Sequence, residues 1–166
     1  MKLITVFGPV KIVQTTEEHL PEFWRILKQW PDFWSESWFV QNEEDFARWW
    51  EAKVRDALTG LDNGRVVGCG YLDTIYPGYY ATINVFKEKG YLNPKMVAAI
   101  MRHALPYFFD KYDLEKIVGI TRENHKGSIR LLKRIGLKVT GTLRHHAKVN
   151  GQWTDYVWSE ILREEL

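Results

Sequence analysis

Along this chain, apolar positions recur with a period of either two or roughly 3.6 residues, and each change of period marks an element boundary. Leu3 to Phe7 and Val10 to Gln14 are short β-type runs on either side of the turn Gly8-Pro9. Thr15, with Glu18 three residues on, reads as a capping box that opens a helix. The apolar stripe of that helix is Leu20, Phe23, Trp24, Leu27 and Trp30, and Pro31 stops it. Residues 32–40, DFWSESWFV, carry no period and read as an aromatic loop that covers something. Asn42 and Asp45 open a second helix with Phe46, Trp49, Trp50, Val54 and Ala57 on one face.

Further on, Leu61 to Gly64 (LDNG) turns a short strand into one from Val66 to Leu72, where Gly68 and Gly70 mark a bulge or a close backbone approach. Pro77-Gly78 turns the chain into a strand from Ala81 to Phe86, and Lys87 to Lys89 form a polar turn. Asn93-Pro94 starts a helix with a broad buried face of Val97, Ile100, Met101, Ala104, Leu105, Phe108 and Phe109, which Pro106 should kink. The stretch Ile117 to Leu137 then gives a strand, a polar turn and an amphipathic helix. Ile129, Leu132 and Ile135 recur at helical spacing, and Gly136 stands at the left-handed C-cap. Lys138 to His146 and Trp153 to Leu162 pair as a hairpin across Asn150-Gly151. This order predicts an α/β class: a mixed sheet with helices on both faces, in a single domain spanning residues 1–166. The two strand-to-helix junctions, at residues 86–93 and 121–128, are the expected ligand site, because irregular backbone and helix N-termini meet there.

Composition adjusts this picture in few places. The chain has 166 residues and a formal net charge of +2, so no broad nucleic-acid footprint is indicated. The aromatic content is concentrated: of eight tryptophans, Trp24, Trp30, Trp34, Trp38, Trp49 and Trp50 fall in the N-terminal third. Those side chains either grip a substrate or build a core. Cys69 alone can make neither a disulfide framework nor a zinc set, and its apolar strand setting reads as inert core. His145-His146 point to opposite faces of their strand and lack a third ligand, so no metal site is expected. No run is long enough for a membrane span and no leader is evident, so a cytoplasmic protein is expected.

Asn124, His125 and Ser128 stand together at the second junction, where the strand's last residues and the helix's free N–H groups converge. They form either a well-capped βα turn or part of a cofactor or substrate site.

Two stretches carry a resemblance to a known family. SIRLLKRIGLKVTGTLRHH, residues 128–146, is similar to the S-x-x-L-L-x-K-x-G-F pattern of the GNAT N-acetyltransferases that act on ribosomal protein N-termini, with Leu137 at the Phe and Thr140 at a following Glu. GQWTDYVWSEILREEL resembles the closing G-x-x-x-D pattern of that branch. The resemblance implies a mostly antiparallel sheet with a splayed parallel strand pair. It also implies acetyl-CoA as co-substrate and acyl donor, and an amine acceptor that is either a protein N-terminus or a small molecule. Edge amides of Asn84, Val85 and Phe86 would hold pantetheine, and Asn93, Lys95 and Met96 would meet the pyrophosphate at a helix N-terminus. The family's R/Q-x-x-G-x-G/A loop is degenerate here. One alignment puts Lys87 at the basic position and Glu88 at a glycine; another, preferred because Asn93-Pro94 starts the helix, places residues 92–97 in the loop without any glycine. Side chains there block close approach to phosphates, and proline removes a donor. At the position of the family's catalytic tyrosine stands Leu132, which leaves Ser128 and Asn124 as thiol-facing residues. The family's Asn and Ser are three apart, so either His125 takes the Asn place or the turn holds one extra residue. As general base the chemistry offers Asp73 or Glu36, both of which could equally be solvated carboxylates. Asp155 either matches the family or ties the hairpin. The rival class is a GNAT-like binding or assembly module without cofactor.

Overall fold

The computed structural model describes residues 1–30, 40–91 and 93–166. Glu36, Trp34, Trp38 and Leu92 lie outside the described residues. The strands are β1 (Leu3–Phe7), β2 (Val10–Gln14), β3 (Asp56–Asp62), β4 (Arg65–Tyr76), β5 (Tyr80–Lys87), β6 (Lys116–Arg122), β7 (Lys138–Val149) and β8 (Gln152–Leu162). The helices are α1 (Leu20–Leu27), α2 (Glu43–Lys53), α3 (Pro94–Tyr112) and α4 (Lys126–Ile135). The strands form one eight-stranded sheet in the order β1-β2-β3-β4-β5-β6-β8-β7. Its parallel pair is β5 with β6, and the pairing runs only over Tyr80↔Lys116, Ala81↔Ile117 and Thr82↔Val118. Beyond Thr82, β5 continues to Lys87 without β6 as a partner. No helix among the described residues is long and apolar enough to cross a membrane.

Contacts divide the chain into two compact units, Met1–Asp73 with Asn84–Tyr91, and Thr74–Ile83 with Leu92–Leu166. In the first, Phe23, Ile26, Leu27, Phe46, Tyr71 and Phe86 are buried together, with Trp24, Trp49 and Trp50 packed against them. Phe23 meets Phe86 edge-on at 5.3 Å and Trp50 at 5.0 Å. The described tryptophans of this region other than Trp30 therefore build core, and each fully buried large side chain contributes about 1.5–3 kcal/mol. Cys69 is buried here too, and burial pushes its thiol well above the ordinary range, which keeps it un-ionised and inert.

Two boundaries differ from the sequence reading. The cap before α1 is Thr16, whose N–H donates to His19 Nδ1 at 3.0 Å, while Thr15 shares a hydrogen bond with Thr59 Oγ1 at 2.8 Å. Ala57 lies in β3 rather than on α2, which ends at Lys53. An apolar residue three past Val54 satisfies the helical period, but pairing Ala57↔Tyr71 and the Arg55 N–H on the Leu72 carbonyl at 2.7 Å take the segment into the sheet. The glycine signal in β4 proves to be a close approach at Gly68, where a Cβ would stand 2.8 Å from the Phe86 carbonyl oxygen.

In the second unit, α3 runs through Pro106 and buries all seven side chains of its expected face. Its cap is Asn93. The α4 helix buries Leu132 and Ile135 and ends on Gly136 at φ +116°, as the left-handed cap requires. Leu132 packs on β6 at Gly119, where a Cβ would come within 2.8 Å of Leu132 Cδ2. Only glycine leaves room there. The β7–β8 hairpin turns at Asn150 (φ +50°) and Gly151 (φ +79°).

Candidate functional site

The sequence-predicted site residues fall into local groups whose internal geometry is definite. Asp73, near the end of β4, accepts a hydrogen bond from Asn84 Nδ2 at 2.8 Å through Oδ2. Its other oxygen, Oδ1, is buried and has no partner among the described residues. A carboxylate held by one neutral amide, with a desolvated oxygen left over, retains capacity to accept a proton or a cation. Asn84 thus serves this group by its side chain, while Phe86 is buried in the core and can serve a ligand only by its backbone. Val85 is half-buried. Since β6 leaves β5 after Thr82, the edge at Asn84, Val85 and Phe86 is not paired with β6 and suits an extended amide-bearing ligand.

The segment after β5 is tied to its own unit. Glu88, 6% exposed, accepts from Arg25 Nη1 at 2.6 Å and from Arg65 Nη2. Burial pushes its carboxyl up, but the two guanidiniums outweigh this and hold it below the usual range. Lys87 turns its ammonium back on the carbonyls of Tyr91 (2.9 Å) and Glu88 (3.1 Å), and burial lowers its pKa. Its own carbonyl accepts from Trp30 Nε1 at 2.7 Å. The family's basic and glycine positions, in the alignment that uses Lys87 and Glu88, are therefore filled by groups that hold the loop itself.

At the start of α3, Asn93 Oδ1 accepts from both Lys95 N and Met96 N at 3.0 Å, and the Val97 N–H goes to the Asn93 carbonyl at 3.1 Å. With Pro94 lacking an N–H, every donor of that first turn is engaged. Lys95 is exposed and Met96 half-buried. The strand edge of β5 fits a pantetheine arm, while the amides of α3 fit a pyrophosphate only once Asn93 has swung away.

At the turn into α4, His125 occupies the N-cap position. Ser128 Oγ lies 2.8 Å from His125 Nδ1. Asn124 is exposed, its carbonyl accepts the Lys126 N–H, and its side chain makes no hydrogen bond among the described residues. The structure therefore joins Ser128 to His125 and not to Asn124. The sequence held the signal, an N-cap residue and a hydroxyl three positions on, which is capping-box spacing. In β7, a bulge gives His145 a φ of +48°, and Asp155 Oδ1 accepts the His145 N–H at 2.8 Å. Asp155 thus ties the hairpin.

A family model described as "Acetyltransferase (GNAT) domain" matches residues 23–158. The chain belongs to the GNAT acetyltransferase family. Among curated proteins, the probable N-acetyltransferase YjcK of Bacillus subtilis (strain 168) is 27% identical over 96 residues, which are 58% of this chain and 50% of that protein. The chain thus matches about half the length of that curated relative. Among solved structures, the ribosomal L7/L12 alpha-N-protein acetyltransferase RimL in complex with coenzyme A superposes with a TM-score of 0.82 at 13% identity, covering 97% of this chain and 98% of that one. Spermidine N-acetyltransferase from Vibrio cholerae in complex with CoA and spermine gives 0.76 at 15% identity, over 95% and 97%. At such identities the likeness establishes the GNAT fold, with its splayed parallel pair at β5 and β6, as the resemblance implied.

Proposed function

We propose that this GNAT chain transfers an acetyl group from acetyl-CoA to a primary amine, with a protein N-terminus as the leading acceptor class and a small amine such as a polyamine as the alternative. The observation that carries the reading is the desolvated, unpartnered Oδ1 of Asp73, oriented by Asn84. Acetyl-CoA, when bound, supplies the acyl carbon as a thioester. Backbone groups of Asn84, Val85 and Phe86 hold the pantetheine arm, and Asn93, Lys95 and Met96 meet the pyrophosphate. Asp73 takes the proton of the attacking ammonium, directly or through water. An α-amine, with a pKa of about 8, yields that proton more readily than a lysine at about 10.4. Ser128 donates its hydroxyl proton to the departing sulfur. The family resemblance supports Ser128 and Asn124 as thiol-facing; of the two, only Ser128 has a side-chain hydrogen bond in the turn.

A second reading, a GNAT-like module that binds no cofactor, is favoured by one observation, the engagement of the first-turn amides of α3 by Asn93. Thermal unfolding with acetyl-CoA separates the two. Binding at a hundredfold excess over Kd stabilises by about 2.7 kcal/mol, whereas no shift at millimolar acetyl-CoA selects the module. Thiol release from acetyl-CoA with spermidine and with a free-N-terminus peptide then identifies the acceptor class. Asp73→Asn should lower kcat about 10²- to 10⁴-fold with little change in acetyl-CoA affinity. Unchanged turnover would remove Asp73 from the mechanism.

A further inference from the structure

We propose that His125 is the positioning residue for Ser128 and the entry point of the proton that reaches the leaving thiolate. The inference rests on the acetyl-transfer reading above. The two groups form an isolated dyad at the turn into α4: Ser128 Oγ and His125 Nδ1 are 2.8 Å apart. Ser128 is half-buried and His125 is exposed, so one end of the dyad faces the protein and the other faces water.

The hydroxyl has a single proton, so the direction of this hydrogen bond decides what Ser128 can do. When Nδ1 accepts, the hydroxyl proton is committed to the ring and cannot be given to sulfur. When Nδ1–H donates, the hydroxyl proton is free and its direction is fixed. In the transfer step, the bond between the acyl carbon and sulfur breaks and sulfur leaves with the electron pair. The Ser128 Oγ proton passes to that sulfur, and the Nδ1 proton of His125 passes to Oγ. A solvent proton enters at Nε2 and restores a neutral ring. The ammonium of the acceptor releases one proton and the thiol gains one, so no net proton is consumed. Ser128 alone would be left as an alkoxide after donation; the imidazole removes that penalty by resupplying the oxygen in the same step.

A capping hydrogen bond between an N-cap residue and a residue three positions on has the same spacing, so the test must separate chemistry from helix stability. Initial rates of thiol release from acetyl-CoA, with spermidine and a free-N-terminus peptide as probes, are compared for wild type, Ser128→Ala, His125→Ala, His125→Asn and the Ser128→Ala/His125→Ala double variant. His125→Ala should lower kcat about tenfold or more, with KM for acetyl-CoA within about twofold, and the double variant should be no slower than Ser128→Ala, because the two act as a unit. His125→Asn, whose amide can donate to Oγ from a similar place but cannot relay, should keep Ser128 oriented and recover only part of kcat. In the imidazole ¹⁵N spectrum, Ser128→Ala should shift the His125 Nδ1 signal. Thiol release that His125→Ala leaves unchanged, or a double variant whose losses multiply, overturns this proposal alone. A wild type that neither binds acetyl-CoA nor releases thiol overturns it together with the acetyl-transfer reading.

Discussion

Asn93 is expected to oppose the cofactor it helps to position, and its removal should move stability and affinity in opposite directions. Its Oδ1 accepts two backbone N–H groups at the start of α3, from Lys95 and Met96. An anion that binds this helix N-terminus uses the same donors and gains from the same dipole. Each such hydrogen bond is worth about 0.5–1.5 kcal/mol net, so displacing both costs an incoming pyrophosphate about 1–2 kcal/mol. Asn93→Ala removes that competitor, and acetyl-CoA should bind about 5- to 30-fold more tightly, at 1.4 kcal/mol per factor of ten. The fold loses its cap at the same time, about 0.5–2 kcal/mol, which for a chain of this size lowers Tm by about 2–4 °C per kcal/mol. Calorimetric titration with acetyl-CoA and thermal unfolding without ligand measure the two effects on one sample. Lys95→Glu is the companion variant: it sets a carboxylate beside the anion and should weaken binding, more so at low salt, with little effect on the fold because an acidic residue suits a first helical turn. Affinity that falls or stays level in Asn93→Ala while the Tm drops would refute use of the α3 amides by the pyrophosphate.

Leu132→Ala should cost about 2–5 kcal/mol, since the side chain is 8% exposed and packed on β6, and Gly119→Ala about 1–3 kcal/mol, since the added methyl meets Leu132 and Leu137 carbons at 2.8–3.1 Å. In the double variant the methyl enters the space that Leu132 vacates, so denaturant unfolding should show a loss smaller than the sum; strict additivity would contradict the contact. The Glu88 carboxyl, although burial raises it, is held below the ordinary range by Arg25 and Arg65. Its contribution is therefore complete above the unfolded value of about 4.3 and fades as pH falls through the folded one. Thermal melts between pH 7 and pH 3 should show a shallower loss of Tm in Glu88→Gln than in wild type, and parallel curves would remove Glu88 from the acid response.

Much of the fold is local in origin and could be read from the sequence for that reason. Asn93-Pro94 sets a cap and a first turn with neighbouring atoms only, and Asn150-Gly151 supplies the two positive φ values of a hairpin turn. Ile129, Leu132, Ile135 and Gly136 fix the buried face and end of α4 within one short segment. The family resemblance sits in this same C-terminal stretch. The groups that give the candidate site its chemistry depend on long-range pairing. Glu88 looks like a polar turn residue until Arg25, 63 positions away, and Arg65, 23 away, close on it. Asp73 is one carboxylate among many until β5 brings Asn84 to one oxygen and burial strands the other. Ala57 satisfies a helical period and a strand equally, and only pairing across β3 and β4 decides between them. A sequence fixes which residues can donate, accept or fill space, and short-range geometry follows because few partners are within reach. Over dozens of residues the possible partners are many, and the tertiary structure alone selects the pair that buries, charges or leaves free a given atom.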